Sequence, residues 1–281
     1  MTGRSFRRAP FFRRLPPSAT TVSETTISPL RAEVSVRVPN LTGGRLRAVL
    51  VGVLLSAVGI VGGVLGAYAA LSAAATLGVP IDEGSAIERV VSQVGQNAVG
   101  FGGVSLGYLT LRRRGVDPAF VARYLRVRRP TLRDLGWVLA GFGLVFAALV
   151  VFSLVTSVLG AETAASSGIE EGRENPTLFL VGIPLALLFV GPGEELLFRG
   201  VVQSRLRENF SAPVAVVAAG VCFAVPHLLG AYTGDGALTS IALITAVGVA
   251  LGAVYEHTGN LVIPAVVHGL FNATVYALNY L

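Results

Sequence analysis

The fold class of this chain follows from one stretch, residues 177–206, which reads TLFLVGIPLALLFVGPGEELLFRGVVQSRL. Its first 17 residues carry no charge, and about 20 residues of apolar helix are enough to span a bilayer. The charged residues Glu194, Glu195 and Arg199 follow within the same block. An ionised group at bilayer depth costs about 2.5–3.5 kcal/mol, so such residues mark functional sites. The stretch therefore predicts a membrane-spanning helix with chemically useful side chains.

The rest of the chain has the composition of a membrane protein. Of its 281 residues, 53% are hydrophobic and 14% are charged, whereas an ordinary soluble protein has about 25% charged residues. This composition excludes a soluble globular enzyme and a disordered chain. The net charge is +6, but the arginines flank apolar blocks, so no nucleic-acid partner is expected. The single cysteine, Cys222, excludes an internal disulfide and a cysteine-based metal cluster.

Seven apolar blocks follow a basic, proline-containing N-terminal tail. They lie near residues 48–77, 90–111, 134–159, 177–206, 212–229, 238–256 and 261–280. The second block is the weakest, because Gln93, Gln96 and Asn97 lie near its start. An eighth segment could be concealed in the first block or in residues 115–130. The prediction is an all-α polytopic membrane helix bundle of about 7–8 transmembrane helices.

The arginines predict an orientation for this bundle. With the N-terminal tail inside, 19 of the 22 arginines fall in cytoplasmic segments, Arg199 lies at the membrane edge, and only Arg89 and Arg173 fall outside. This distribution follows the positive-inside rule. We therefore expect a multi-pass protein of the cell membrane, with its N-terminus and the Glu194 region on the cytoplasmic side.

The two adjacent glutamates differ in their helical neighbours. Glu195 and Arg199 are four residues apart, so they can pair on one face of a helix. Glu194 is rotated by about 100° from Glu195 and is left without a helical partner. The sequence 191–193, Gly-Pro-Gly, should loosen the helix just before it. One carboxylate is thus expected to be held by the arginine, and the other is free to act.

Two later helices carry polar pairs at the same spacing. His227 follows Phe223 by four residues, and Asn272 follows His268 by four, so each pair shares a helix face. Taken alone, each feature has a structural explanation, such as a buried ionic clamp. Together, a carboxylate and two imidazoles can activate water and stabilise an oxyanion. The same set also resembles a His/His/Glu metal site.

These three motifs resemble those of the CAAX protease and bacteriocin-processing (CPBP, or Abi) family of intramembrane proteases, including CAAX prenyl protease 2-like members. The matching motifs are Glu194-Glu195…Arg199, Phe223…His227 and His268…Asn272, in this order. The resemblance covers about residues 178–281. It implies an intramembrane protease domain at 178–281, and the composition of the rest predicts a flexible basic tail at 1–45 and N-terminal transmembrane helices at 46–177.

The resemblance implies an endopeptidase that hydrolyses a peptide bond of a membrane-associated substrate. Eukaryotic relatives act on prenylated CAAX proteins. By this resemblance, Glu194 would be the base that activates water, and His227 would position that water. His268 and Asn272 would bind the oxyanion. Glu195 and Arg199 would hold the other site residues in position. The expected partners are membrane lipid and a membrane-associated peptide or protein.

The residues leave metal dependence open at this stage. Glu194, His227 and His268 could ligate Zn²⁺ through a carboxylate and two imidazoles. Asn272 is an unusual zinc ligand and fits an oxyanion role better. Of the two alternatives, we expect a reaction without a cofactor rather than a zinc-dependent one.

Two functions outside hydrolysis remain as alternatives. A non-catalytic membrane scaffold or bacteriocin-immunity protein could have kept the fold. A transporter could use the broken helix at 191–193 as a binding site, but such folds have two matching halves, and this sequence shows no second Gly-Pro-Gly beside charge. The complete set of three motifs favours the protease.

Overall fold

The chain folds into helices joined by short connections. The computed structural model describes residues 41–281, and no strand occurs in this range, which confirms the predicted all-α class. The helices are α1 Leu41–Thr76, α2 Ala86–Val94, a π-helical segment Gly95–Phe101, α3 Gly102–Arg113, α4 Pro118–Tyr124, α5 Leu132–Leu159, α6 Ser167–Glu174, α7 Thr177–Arg207, α8 Ala212–Gly230, α9 Ala237–Thr258 and α10 Val262–Tyr280.

Residues 1–40 of the predicted N-terminal tail, which was assigned to 1–45, lie outside the described residues. The last five residues assigned to it, 41–45, are the first residues of α1. Within the described range, helices from both sides of the predicted boundary at 177/178 pack together in one compact unit.

Six helices in the described range are long and apolar enough to cross a membrane, and they are α1, α5, α7, α8, α9 and α10. The predicted bundle of about 7–8 transmembrane helices is confirmed in its architecture, and the exact number of spans stays approximate. The second apolar block, 90–111, is helical but lies within α2, the π-helical segment and α3, where polar residues lower its hydropathy. Residues 115–130 contain only the seven-residue α4, and the first block forms the single helix α1, so neither conceals a further span.

Large apolar side chains remain exposed along the long helices. On α5, for example, Leu139 and Val150 are 67% and 54% exposed. Exposure of so many apolar side chains to water would be unfavourable, whereas lipid tails would solvate them. The exposed faces therefore agree with a bundle that lies in a bilayer.

Local sequence signals set the helix ends. Asp117 precedes Pro118 at the start of α4 and accepts a hydrogen bond from the Phe120 N–H at 3.0 Å. Thr131 and Asp134 form a capping box at the start of α5. Gly160 ends α5 with a positive φ of 63°, which glycine adopts without strain.

Helix α7 lies at the centre of the bundle and contacts α1, α2, α8 and α10. Its second half contributes Val201, Val202 and Leu206 to a core that also includes Leu109 and Tyr255. The first half of α7 packs against α10 instead. The helix thus carries its glutamates between a packed core and the α10 helix that bears the last motif.

Candidate active site

The six predicted site residues come from three neighbouring helices. Helix α7 carries Glu194, Glu195 and Arg199, α8 carries His227, and α10 carries His268 with Asn272. The structure joins five of them through direct contacts between side chains. The ring of His227 packs against that of Phe223, which in turn packs against that of His268.

Two glycines bring α7 and α10 close enough for these contacts. A Cβ atom on Gly191 would lie 2.8 Å from the Gly269 nitrogen, and a Cβ on Gly269 would lie 2.8 Å from the Ala186 oxygen. Both distances are too short for any other residue. The two backbones therefore touch just beside Glu194 and His268, and this contact sets the distance between the first and last motifs.

Glu195 is the centre of a buried charge cluster. Its Oε1 lies 2.9 Å from Arg199 Nη1, and both side chains are fully buried, as the spacing of the two residues predicted. The same oxygen accepts a hydrogen bond from His268 Nδ1 at 2.9 Å, a contact that the sequence analysis missed. Arg199 Nη2 also donates to the Gly248 carbonyl of α9 at 2.9 Å. Glu195 and Arg199 thus fix the position of the His268 ring.

The hydrogen bonds of His268 assign its tautomer. Because Nδ1 donates to a carboxylate, Nε2 carries the lone pair of the neutral ring and accepts from Asn272 Nδ2 at 3.3 Å. Nε2 also faces Glu194, whose Oε2 lies 3.9 Å away. That distance is too long for a direct hydrogen bond. The imidazole is therefore held by Glu195 on one side and turned toward Glu194 on the other.

Glu194 has a different environment from Glu195. Its side chain keeps 14% of its surface accessible, and its Oε2 is buried without a hydrogen-bond partner among the described residues. An arginine neutralises Glu195, whereas the charged pair of Glu194 found within residues 41–281 is the one with the distant imidazole. The structure therefore supports the predicted division into one held carboxylate and one available carboxylate.

The second motif supplies an aromatic packing centre as well as its histidine. Phe223 is buried, and its ring centroid lies 5.0 Å from that of His227 and 5.7 Å from that of His268. The Arg199 guanidinium lies over the same ring at 4.5 Å, within the range of a cation–π contact. His227 Nδ1 donates to the Phe223 carbonyl at 3.0 Å, so its Nε2 is left as an acceptor.

The geometry does not fit the zinc alternative. No three His, Cys, Asp or Glu side chains within residues 41–281 are grouped so that they could hold a metal ion. Zinc would need the lone pair of His268 Nε2, which accepts a hydrogen bond from Asn272 Nδ2 at 3.3 Å. We derive no chemical step through a metal, and the prediction of a reaction without a cofactor stays a prediction.

One polar residue beside the site was not recognised from the sequence as a site residue. Asn97, in the π-helical segment, is buried, and its Nδ2 donates to the Gln93 carbonyl at 2.9 Å. A Cβ on Gly193 would lie only 2.7 Å from the Asn97 Cβ, so Asn97 packs directly against the residue that precedes Glu194. The available signal was the polarity of the second apolar block, which was used only to judge its hydropathy.

The third histidine of the chain lies apart from this group. His257 stands at the end of α9, and its ring packs against Trp137 with centroids 4.7 Å apart. The site therefore uses two of the three histidines.

Comparison with known proteins agrees with the motifs. The family model described as type II CAAX prenyl endopeptidase Rce1-like matches residues 176–274, a range that includes all six predicted site residues. The match confirms the resemblance found in the sequence. No curated protein and no solved structure matches the chain. With six apolar helices and a match to a membrane protease family, the chain is a multi-pass membrane protein.

Proposed function

We propose that this protein, whose residues 176–274 match the Rce1-like CAAX prenyl endopeptidases, is an intramembrane endopeptidase that hydrolyses a membrane-associated peptide. One observation carries the proposal. The Glu194 carboxylate, whose Oε2 has no hydrogen-bond partner among the described residues, faces the Nε2 of His268, while the Glu195–Arg199 pair holds that imidazole from its other side. A positioned base beside oriented hydrogen-bonding groups is what peptide hydrolysis requires.

In the proposed reaction, Glu194 takes a proton from water as the oxygen attacks the peptide carbonyl carbon. The carbonyl oxygen becomes an oxyanion, and collapse of the tetrahedral intermediate breaks the C–N bond. Glu194 then gives its proton to the leaving amine nitrogen. His227 Nε2, an acceptor, can hold the second proton of the attacking water, which fits its predicted positioning role.

Asn272 is the better candidate for the oxyanion ligand. Its Nδ2 has two hydrogens, and only one is directed to His268 Nε2. The other is available for the oxyanion, a type of contact worth about 10²–10³ in rate. His268 Nε2 carries a lone pair in this arrangement, so we propose that His268 orients Asn272 rather than donating to the oxyanion itself.

The test is peptide hydrolysis by the purified full chain in lipid nanodiscs, with an S-farnesylated CAAX peptide as substrate and mass spectrometry of the products. Glu194→Gln should lower the rate by about 10²–10⁴-fold because it removes the base. Glu174→Gln, at an exposed glutamate of α6, is the matched control and should keep full activity. A Glu194→Gln protein that is as active as the control would refute the proposal.

Chelation tests the absence of a metal step. No group of three His, Cys, Asp or Glu side chains that could hold a metal ion is found within residues 41–281. We therefore expect incubation with EDTA or 1,10-phenanthroline, followed by desalting, to leave the hydrolysis rate unchanged. Loss of activity that added Zn²⁺ restores would contradict this expectation.

The orientation and the compartment belong to the same proposal. We propose that the protein lies in the cell membrane with the arginine-rich ends of its helices in the cytoplasm. Glu194 lies 13 residues before the end of α7 at Arg207, which corresponds to about 20 Å of helix. A substrate that enters from the cytoplasmic side must therefore insert its cleaved segment into the membrane.

A further inference from the structure

The connection between α4 and α5 presents two exposed arginines at the arginine-rich end of the bundle. Arg129 lies in this connection and Arg133 in the first turn of α5, and both residues are exposed. No ion pair within residues 41–281 includes either of them. Other arginines at this end pair with acidic side chains, and they are Arg112, Arg113, Arg126, Arg128, Arg205 and Arg207. The two exposed charges are therefore open to a ligand.

Hydrogen bonds fix the backbone that carries these two arginines. Arg128 donates to both oxygens of the buried Asp134, at 2.6 and 2.7 Å, and Asp134 also accepts from the Thr131 N–H at 2.7 Å. The Arg128 N–H donates to Asn260 Oδ1 at 3.4 Å, which attaches the connection to the turn before α10. The backbone is thus ordered before any ligand binds, and this order lowers the entropy cost of binding.

Apolar side chains beside the arginines point to a lipid rather than to a small anion. Leu132, the first residue of α5, is 91% exposed, and Leu135 and Leu139 continue the same helix face at 57% and 67% exposure. Because α5 is apolar enough to cross a membrane and begins at Leu132, this end of the helix lies where acyl chains meet headgroups. A phospholipid would cover the leucines and offer its phosphate to the arginines at once, whereas a free anion would leave the leucines uncovered.

The first turn of α5 also favours a negative charge. The free N–H groups at a helix N-terminus carry a partial positive charge, and Arg133 adds a full one at the same place. Asp134 is the acidic residue of this turn, and Arg128 already neutralises it. A phosphate group beside Arg133 would supply the missing negative charge.

We propose that Arg129 and Arg133 bind the phosphate of an anionic phospholipid whose acyl chains lie along Leu132, Leu135 and Leu139. This inference goes beyond the proposed function and does not depend on it. Arginine binds phosphate oxygens through paired N–H donors. A zwitterionic phospholipid would bring its own cation close to the same arginines, so the surface selects a lipid with net negative charge. The bound lipid would hold the α4–α5 connection at the membrane surface.

The chain has one tryptophan, and it reports on this surface. Trp137 follows Arg133 by four residues and so lies one helical turn further along α5. The full chain is placed in nanodiscs of phosphatidylcholine and phosphatidylglycerol, and one of the two lipids carries brominated acyl chains, which quench only nearby tryptophan. We expect phosphatidylglycerol beside Trp137 to exceed its bulk share about fivefold, the contribution of about one arginine near an anionic lipid. Equal quenching by the two lipids at equal mole fraction would overturn the proposal.

Two double variants separate the proposed site from the general charge of this end. Arg129→Gln/Arg133→Gln should abolish the enrichment of phosphatidylglycerol. The matched control, Arg113→Gln/Arg114→Gln, removes the same charge from exposed positions at the end of α3 and should keep the enrichment. An equal loss in both double variants would mean that the attraction is diffuse, and this result would refute the site.

Thermal unfolding in detergent and a salt titration complete the test. Because Arg129 and Arg133 form no ion pair in the described part of the chain, their double variant should unfold at the temperature of the wild type. If it unfolds earlier, the wild-type chain decides alone: added NaCl should lower the enrichment by screening the arginines. Enrichment that does not respond to salt would contradict the proposal.

Inorganic phosphate distinguishes a lipid headgroup from a free anion. At equal ionic strength, replacing chloride by phosphate should leave the enrichment unchanged, because phosphate covers none of the apolar side chains. Loss of the enrichment in phosphate would assign the two arginines to a free anion and overturn the lipid site.

Discussion

At the scale of single residues, the buried cluster of Glu195, Arg199 and His268 has the largest energetic consequence. Neither Glu195 nor Arg199 is exposed to solvent, and each side chain partly neutralises the charge of the other. Transfer of an unpaired charge into such an interior is strongly unfavourable. The pair therefore holds the imidazole only as long as both partners are present.

Removal of the arginine should destabilise the whole protein. We expect Arg199→Gln to lower the free energy of unfolding by about 3–5 kcal/mol, because Glu195 is left buried and unpaired. The double variant Glu195→Gln/Arg199→Gln should lose less than the sum of the single changes. Denaturant titration of the purified variants in detergent measures both values, and additive losses would contradict the coupling. Arg173→Gln, at an exposed arginine, is the control and should change stability little.

At the scale of helices, close approach at glycine positions sets the site. Gly191 and Gly269 let the α7 and α10 backbones touch. Four further glycines allow the same close approach where α1 crosses the π-helical segment, and they are Gly62, Gly66, Gly95 and Gly100. A Cβ on Gly100 would lie 2.5 Å from the Gly62 oxygen. Such contacts stabilise helix pairs in a membrane, where no hydrophobic effect drives helices together.

A methyl group at the α7–α10 contact should impair catalysis. We expect Gly269→Ala and Gly191→Ala each to reduce hydrolysis by about 10²-fold, because a shift of about 1 Å between α7 and α10 misplaces His268 relative to Glu194. The control is Gly103→Ala on α3, whose added methyl would meet no atom within 4 Å. Rates measured beside thermal unfolding would separate misplacement from loss of folded protein. Unchanged rates in the glycine variants would show that the contact does not set the site.

At the scale of the whole molecule, the proposed orientation rests on the charge distribution of the loops. Arginines cluster at the ends of the helices that meet residues 112–133 and 205–207, while the opposite ends carry mainly acidic residues. Anionic lipid and the positive-inside bias both favour the arginine-rich ends in the cytoplasm.

Cysteine labelling in intact cells tests this orientation. In a Cys222→Ser background, a membrane-impermeant maleimide should label Arg173→Cys and should not label Arg113→Cys until the cells are permeabilised. The opposite pattern would reverse the orientation and place Arg89 on the cytoplasmic side. Neither substitution touches the proposed site residues, so activity should be retained in both.

The features that depend on neighbours along one helix could be predicted from the amino-acid sequence. Apolar blocks located the long helices, because lipid tolerates only backbone that is hydrogen-bonded internally. The spacing of four residues predicted the Glu195–Arg199 pair and placed His268 and Asn272 on one face, because such residues meet one helical turn apart.

Which helices bring their polar faces together became clear only from the folded molecule. The Glu195–His268 hydrogen bond, the contact of Asn97 with Gly193, and the Arg89–Glu171 pair each join residues more than 70 positions apart. No periodicity along one helix encodes such a contact. Its position follows from helix crossings, which depend on where glycines allow two backbones to touch.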